Sequence, residues 1–384
     1  MAKKVDPRET SIIPIDFAAQ LEEFKNGKPI GENARIPVVH EHFSWKRSFV
    51  NCWTGWPNDG KSTFFMFMSL MKSVVDNWRW CIWSPEMYNN VRDHNGKMIV
   101  SASDLIDEIV FMYTGRNPYK HFEQRYGTKQ MGKEAYQEAM NWVEEHYVFI
   151  NPKGKTFKNL IDNFRYVFDV YQGKVDGFLV DPFKNIDHRE EGNGRFDLYL
   201  DSVFSEAKEF SLETNTSLNF IAHPRNDKDP KNPDGSYKLC SQFTLAGGAS
   251  WNNNMDGIFS ILRPFKHKNP TDPRVAFYNL KQRKQQLVGR CGVYDKIELD
   301  FLTNRYYFDG HCPIDGSYKE PIDTKIKRDA AAKKELADKN ENTVKKSKRI
   351  LKEATKPAPI DIPFEEVERD LGEHESTPEH ETLF

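Results

Sequence analysis

The hydrophobic positions of this chain gather into short, nearly unbroken runs separated by longer mixed stretches. "SFVNCWTG" (48–55), "WRWCIW" (78–83), "VDGFLV" (175–180) and "SLNFIA" (217–222) each hold a strand's length of apolar residues. Runs of this kind, without polar alternation, belong to strands covered on both faces, as in a parallel sheet. Directly after the first run, "KSTFFMFMSLMKSVV" (61–75) is apolar over a helix's length and predicts a buried helix. The pattern therefore predicts an α/β fold with a mostly parallel central sheet.

Both ends of the chain follow other patterns. In "PIDFAAQLEEFKNGKPIGE", Phe17, Leu21 and Phe24 recur at helical spacing and Gly27 and Pro29 act as stop signals, which predicts a short amphipathic helix packing on its own domain or on a neighbouring subunit. Residues 325–352 carry 11 Lys/Arg against 4 Asp/Glu, and 353–384 carry 10 Asp/Glu against 2 Lys/Arg. The basic piece reads as a solvated helix. The acidic piece, with several prolines and few large apolar residues, reads as a disordered, solubilising tail or a peptide that docks partner proteins or competes with a polyanion for the basic segment. The expected organisation is an N-terminal helix and linker over 1–30, a central α/β domain over 31–320, and a charged tail over 321–384.

With 384 residues, 38% hydrophobic and 13% aromatic, the chain has material for one large core or two domains. A formal net charge of -2 argues against a uniformly basic surface, so any nucleic-acid contact must be local. Cys52, Cys81, Cys240, Cys291 and Cys312 form no CxxC pair, which disfavours a zinc module and a disulfide framework. With no signal peptide and no apolar run of about 18 residues, the expectation is a cytoplasmic protein without a membrane span.

Chemistry enters at the end of the first run. "GWPNDGKS" fits GxxxxGK[ST], with Gly55, Gly60, Lys61 and Ser62 at the fixed places. The glycines let backbone N–H groups close around phosphate oxygens, Lys61 reaches the β/γ-phosphates, Ser62 ligates Mg²⁺, and the following helix adds its N-terminal dipole. Asn58, Asp59 and Thr63 complete the candidate nucleotide contacts. ATP or another NTP and Mg²⁺ are the expected cofactors. Three later runs end in polar residues. Glu86 follows the second run and suits a base for the attacking water; Asp181 follows the third and suits a Mg²⁺-holding Walker-B acid; His223 follows the fourth and suits a γ-phosphate sensor. Taken singly, each carboxylate also reads as a helix cap, and the histidine as a structural hydrogen-bonder. Together they support one another, because the carboxyl ends of parallel strands converge on one crevice.

The ordered set of the phosphate loop, "SPEM", "FLVDPFKNI", "IAHPRND", "AGGASWNNNMDGIFSILRP" and "NLKQRKQQLVGRCGVYDKIELDF" resembles the DnaB-type (superfamily-4) replicative DNA helicases, above all their Twinkle-like and phage-type branch, over roughly residues 15–310. The resemblance implies a RecA-like ATPase core, with Glu86 as base, Asp181 as Walker-B acid and His223 as sensor. It also implies that Lys281 and Arg283 in "LKQRK" match the family's Lys-x-Arg pair, which reaches the nucleotide of the adjacent subunit. By itself a Lys/Arg cluster on a strand is more often a solvated face. The resemblance further implies a hexameric ring that moves 5'–3' on single-stranded DNA and unwinds forked duplex in a bacterial or phage-infected cell. Separate primase, polymerase or single-strand-binding proteins are its expected partners, since no primase module precedes the ATPase stretch. A recombinase filament and a nucleotide-gated DNA loader are the alternative functions.

The sequence departs from the family pattern at bulky Trp56, at Asn58 and Asp59, where small residues are usual and the acid is expected to lower phosphate affinity, and at Gly248 and Ala249 in "GGAS". DNA contacts are expected on the long loop 225–250, through Arg225, Lys228, Lys231 and Lys238, tracking phosphates without reading sequence. The stretch 184–195 is the weaker candidate. Solvated loops without a ligand are the alternative for both.

Overall fold

The computed structural model describes residues 15–28, 30–187, 195–225 and 230–354. Lys228, most of the 184–195 stretch, Pro29 and the acidic tail from 355 onward lie outside the described residues, so the expectations placed on them stay where the sequence left them.

In chain order the elements are α1 (Phe17–Asn26), β1 (Glu32–Asn33), β2 (Ser44–Trp45), β3 (Val50–Thr54), α2 (Lys61–Asp76), β4 (Trp80–Trp83), β5 (Asn89–Arg92), β6 (Met98–Ser101), α3 (Ser103–Thr114), α4 (Lys120–Tyr126), α5 (Lys133–His146) and β7 (Tyr147–Phe149). They continue with α6 (Phe157–Val170), β8 (Gly177–Val180), α7 (Phe196–Thr214), β9 (Ser217–Ile221), α8 (Gly248–Asn254), β10 (Gly257–Leu262), β11 (Arg274–Gln282), α9 (Gln285–Val288), β12 (Gly292–Asp300), β13 (Arg305–Phe308) and α10 (Ile322–Ala354). The main sheet has nine strands in the order β13-β12-β11-β10-β3-β9-β8-β4-β7. From β10 to β7 every neighbour is parallel; β11, β12 and β13 extend the other side antiparallel.

Each parallel strand splits its side chains between two cores, as the period of two requires. Trp53, Trp80, Ile82, Leu179, Ile221 and Phe259 face one core, built with the apolar side of α2, α3 and α5. Val50, Cys52, Cys81, Phe178, Val180, Leu218, Phe220 and Ile258 face the other, covered by α6, α7 and α8. Coverage on both faces is why these strands read as continuous apolar runs. The polar interruptions in those runs are satisfied across the sheet: Asn219 Oδ1 accepts from Asn51 Nδ2 at 3.2 Å and from Trp53 Nε1 at 3.1 Å. Each fully buried large side chain contributes roughly 1.5–3 kcal/mol, and the dense ring cluster of Phe43, Trp45, Trp53, Phe65 and Trp80 anchors β3, the strand that presents the phosphate loop.

The chain divides into two compact units, one through Ile322 and one from Asp323 onward. Within the first, α1 forms where its spacing predicts, with Asp16 capping Ala18 N at 3.0 Å and Ala19 N at 2.9 Å. Phe17, Leu21 and Phe24 are exposed, so packing on its own domain is not the arrangement found. In the second unit, α10 is the basic helix expected from the sequence, with exposed Ile326, Leu336 and Val344 among its charges and i,i+4 pairs Glu335–Lys339 and Glu341–Lys345, each at 2.7 Å. Among the described residues no helix is long and apolar enough to cross a membrane.

Candidate functional site

The phosphate loop leaves β3 at Thr54 and enters α2 at Lys61. Its turn needs glycine at two points. Gly55 has φ +153° and a Cβ there would stand 2.4 Å from the Ile261 carbonyl oxygen; Gly60 has φ +78° and a Cβ there would meet the Tyr306 hydroxyl at 3.3 Å. Lys61 is buried, and its ammonium donates to the Trp56 carbonyl at 3.2 Å, which closes the loop on itself. Burial lowers the Lys61 pKa, against the opposing pull of Asp59 and Asp181.

A cavity of about 460 Å³ opens above this loop, lined by residues 57–63, Ser84, Glu86, Met87, Asp181, His223, Arg263 and an apolar end of Val275, Leu299, Phe301 and Tyr306. Sequence-predicted Lys61, Ser62, Glu86, Asp181 and His223 all meet there. They do so because β3, β4, β8 and β9 are parallel neighbours, so their carboxyl ends lie side by side. Asp181 directly follows β8 and is 6% exposed. Burial pushes its pKa up to about 6, against a hydrogen bond from the Ser62 hydroxyl and the charge of Lys61. The Ser84 hydroxyl also reaches it at 3.4 Å. Glu86 sits in the short turn Pro85–Met87 beyond β4, not at the strand's last residue, and accepts from Lys184 Nζ at 3.0 Å and Asn185 Nδ2 at 3.4 Å. His223 lies two residues past β9 and is half-buried; burial, then Lys61 and Lys184, pushes its pKa down to about 4, so it is neutral at physiological pH.

Two of the assigned residues that line this cavity have their side chains engaged by the protein itself. Asp59 is fully buried and its oxygens are taken by Trp56 N at 2.9 Å, Arg263 N at 3.2 Å and the Lys266 ammonium at 2.6 Å. It braces the loop from inside, and Lys266 neutralises the charge that was expected to weaken phosphate binding. The Thr63 hydroxyl is hydrogen-bonded to Glu108 of α3.

The donor set suits a hard divalent cation. Mg²⁺ takes one or two carboxylates, a hydroxyl and substrate phosphates rather than an all-protein cage, and Ser62 and Asp181 already share a hydrogen bond at the cavity wall. Among the described residues no group of three His, Cys, Asp or Glu forms a denser metal site.

Lys281 and Arg283 are not in this cavity. Lys281 Nζ donates to the carbonyls of Asn252 and Met255, the latter at 2.8 Å, and Arg283 to the Asn253 carbonyl and to Asp256 at 3.3 Å. Gln282 pairs with Gly257, which pairs with Asn51, so this end of β11 sits level with the start of β3 and away from the phosphate loop. Gly248 begins α8 and Ala249 follows it, and a Cβ on Gly248 would stand 2.6 Å from the Gln242 carbonyl oxygen. Of the DNA candidates, Arg225 is exposed, with its backbone N–H bonded to Thr244 O at 2.9 Å, while Lys231 and Lys238 lie on a hairpin folded against the phosphate loop. The sequence reading missed Arg263, whose guanidinium stands 5.5 Å from the Phe301 ring at the cavity's apolar end, and Tyr306, whose buried hydroxyl has no partner among the described residues.

No family model matches the chain. A Twinkle homolog of Arabidopsis thaliana, chloroplastic and mitochondrial, is 24% identical over 249 residues, covering 62% of this chain; the chain spans about a third, 31%, of that relative's length. A solved ATPase domain superposes with a TM-score of 0.57 at 12% identity, covering 80% of this chain and 99% of that domain. A DnaB-like replicative helicase, solved in a study of its interactions with primase, gives a TM-score of 0.57 at 14% identity over 78% of this chain and 70% of its own. The fold is that of the RecA-like ATPase domain of DnaB-like helicases, and the resemblance read from the sequence recurs in both sequence and fold.

Proposed function

We propose that this chain is a DnaB-type helicase motor: it binds ATP and Mg²⁺ at the phosphate loop, assembles as a ring, moves 5'–3' on single-stranded DNA and unwinds forked duplex. The observation that carries the reading is the meeting of Lys61, Ser62, Glu86, Asp181 and His223 at one cavity. Lys61 and the loop N–H groups hold the phosphates; Ser62 and Asp181 hold the cation, which when bound offsets negative charge on the transferring group. Glu86 orients the attacking water as base. His223, neutral at assay pH, reports on the terminal phosphate by hydrogen bonding rather than by charge. Arg263, Phe301, Leu299 and Val275 give a flat, partly apolar end suited to a nucleobase, with the guanidinium and the ring as its stacking partners.

Lys281 and Arg283 act on the nucleotide of the next subunit. Support comes from their distance from the chain's own phosphate loop and from the permanently charged, planar guanidinium, which suits charge developing on a phosphoryl group. The exposed face of α1 docks on a neighbouring copy, Arg225, Lys228, Lys231 and Lys238 contact the DNA backbone, and the charged tail binds replication partners.

ATP-dependent separation of a fluorescent forked duplex, with Lys61→Ala beside the wild type, tests the reading. Unwinding by the wild type alone supports it. Hydrolysis on single strands without separation by the wild type counts against a helicase.

A further inference from the structure

Two of the phosphate loop's departures, Trp56 and Asp59, lead to one neighbour. Residues 230–240 form a hairpin closed by the Lys231–Tyr237 bridge, with Asn232 N donating to Ser236 O at 2.7 Å and Lys238 N to Pro230 O at 2.9 Å. Trp56, 5% exposed, packs against this hairpin and the end of β10 in a small core of its own with Cys240, Leu262, Tyr237 and Tyr278. Its ring stands 5.9 Å from that of Tyr237, and its Nε1 donates to the Lys238 carbonyl at 2.6 Å. Thr54 Oγ1, just before the loop, meets Cys240 Sγ at 3.2 Å. From the other side, the Lys266 ammonium paired with Asp59 lies 4.3 Å from the Tyr237 ring and donates to the Pro57 carbonyl at 2.9 Å. The hairpin is thus fastened to the phosphate loop at both its ring and its backbone.

Resting on the reading of this chain as a single-strand-dependent nucleotide hydrolase, we infer that Trp56 is a positioning residue that couples the phosphate loop to the hairpin: nucleotide in the loop changes the hairpin's affinity for single-stranded DNA, and DNA changes nucleotide affinity in return. Coupling needs an element that makes different contacts in two states. Trp56 is such an element. Its carbonyl accepts from Lys61, and that donor leaves when Lys61 turns to a phosphate. Its indole meanwhile holds the hairpin. A change in the residue-56 backbone therefore moves the group on which Lys238 rests. The link is reciprocal by thermodynamic necessity.

The test uses the full chain, a fluorescent oligo-dT and a non-hydrolysable ATP analogue with Mg²⁺. Oligo-dT affinity is measured with and without the analogue, and the ratio of the two is the readout. The wild-type ratio is expected to lie at about 5–150-fold, the usual span of coupling between sites. Trp56→Phe keeps the ring and loses the Nε1 donor; Tyr237→Leu breaks the ring contact from outside the phosphate loop, so a folding defect in one variant leaves the other to answer. Both are expected to bring the ratio down several-fold towards one. A merely structural role would weaken the two affinities in parallel and keep the ratio, and an unchanged ratio in both variants, or a wild-type ratio of one, overturns the inference. Nucleotide binding with no oligo-dT binding in either state instead overturns the motor reading, and the coupling with it.

Discussion

The ammonium of Lys184 stands 3.0 Å from the carboxylate of Glu86, and Asn185 reaches the same Oε1 at 3.4 Å. Both donors come from the turn Phe183–Asn185 that follows Asp181, so the proposed base and the proposed metal-holding acid are tied through one short stretch of backbone. An exposed pair of this kind contributes about 0.2–1 kcal/mol, weak enough for a competing phosphate to release. Lys184→Met is therefore expected to raise DNA-free ATP hydrolysis by up to about fivefold, with the melting temperature nearly unchanged. Glu86→Gln is expected to lower kcat by about 10²–10⁴-fold while nucleotide still binds. Phosphate-release kinetics check both, and a slower Lys184→Met would mean that the lysine assists the base rather than restraining it.

His223 carries a pH signature. Its folded pKa is depressed to about 4 by burial and by Lys61 and Lys184, while an unfolded histidine titrates near 6.5. Between those values the unfolded chain binds the extra proton, so the stability tied to the neutral ring is complete above about pH 6.5 and is lost as pH falls towards 4. On acidification from pH 7.5 to 4.5 the melting temperature of the wild type should fall more steeply than that of His223→Gln, which has no ring to protonate. Parallel curves would show that the ring is not held neutral.

Asp59 and Lys266 form a nearly dry ion pair, 0% and 10% exposed at the side chain, with 2.6 Å between them. Burial still raises the Asp59 pKa despite the lysine. Removing one partner of such a pair strands a buried charge and costs about 3–5 kcal/mol, whereas removing both costs far less. Lys266→Met is expected to fall in that range by urea unfolding, and adding Asp59→Asn should recover a large part of the loss. Additive effects of the two substitutions would mean that the pair is not the loop's brace.

The sequence made legible what depends on local pattern. Strands covered on both faces appear as apolar runs, and the phosphate loop announces itself through Gly55, Gly60 and Lys61. Glu86, Asp181 and His223 were readable because each follows one of those runs, although Glu86 and His223 stand beyond the strand ends, in a turn and two residues past β9. What stayed hidden is held together only by tertiary contact. Arg263 and Phe301 meet because β10, β11 and β12 lie side by side, and no spacing in the chain marks the pair. Asp59 looked like a phosphate neighbour because it sits within the motif; its lysine is more than two hundred residues away. Trp56 looked like an anomaly until the hairpin against it was visible.

Lys281 and Arg283 supply the most discriminating experiment. Arg283 follows Gln282, which is level with Asn51, four residues before Gly55 on the neighbouring strand register. Lys281 pairs with Ile258 and so is level with Cys52, three residues before Gly55, and at about 3.3 Å per residue the pair lies roughly 10–16 Å from the phosphate loop along the sheet. Their present partners are carbonyls at the end of α8 and Asp256, so neither cation serves its own chain's cavity. A site shared between subunits predicts complementation. Arg283→Ala alone and Lys61→Ala alone are each expected to lose at least about 10³-fold in kcat, the usual worth of an arginine finger. Mixed in equal amounts, some interfaces pair an intact phosphate loop from the Arg283→Ala chain with an intact Arg283 from the Lys61→Ala chain. ATP hydrolysis by the mixture should then exceed the sum of the two separate variants. A mixture no more active than its parts, with subunit exchange verified by fluorescence transfer between labelled chains, would remove the trans assignment.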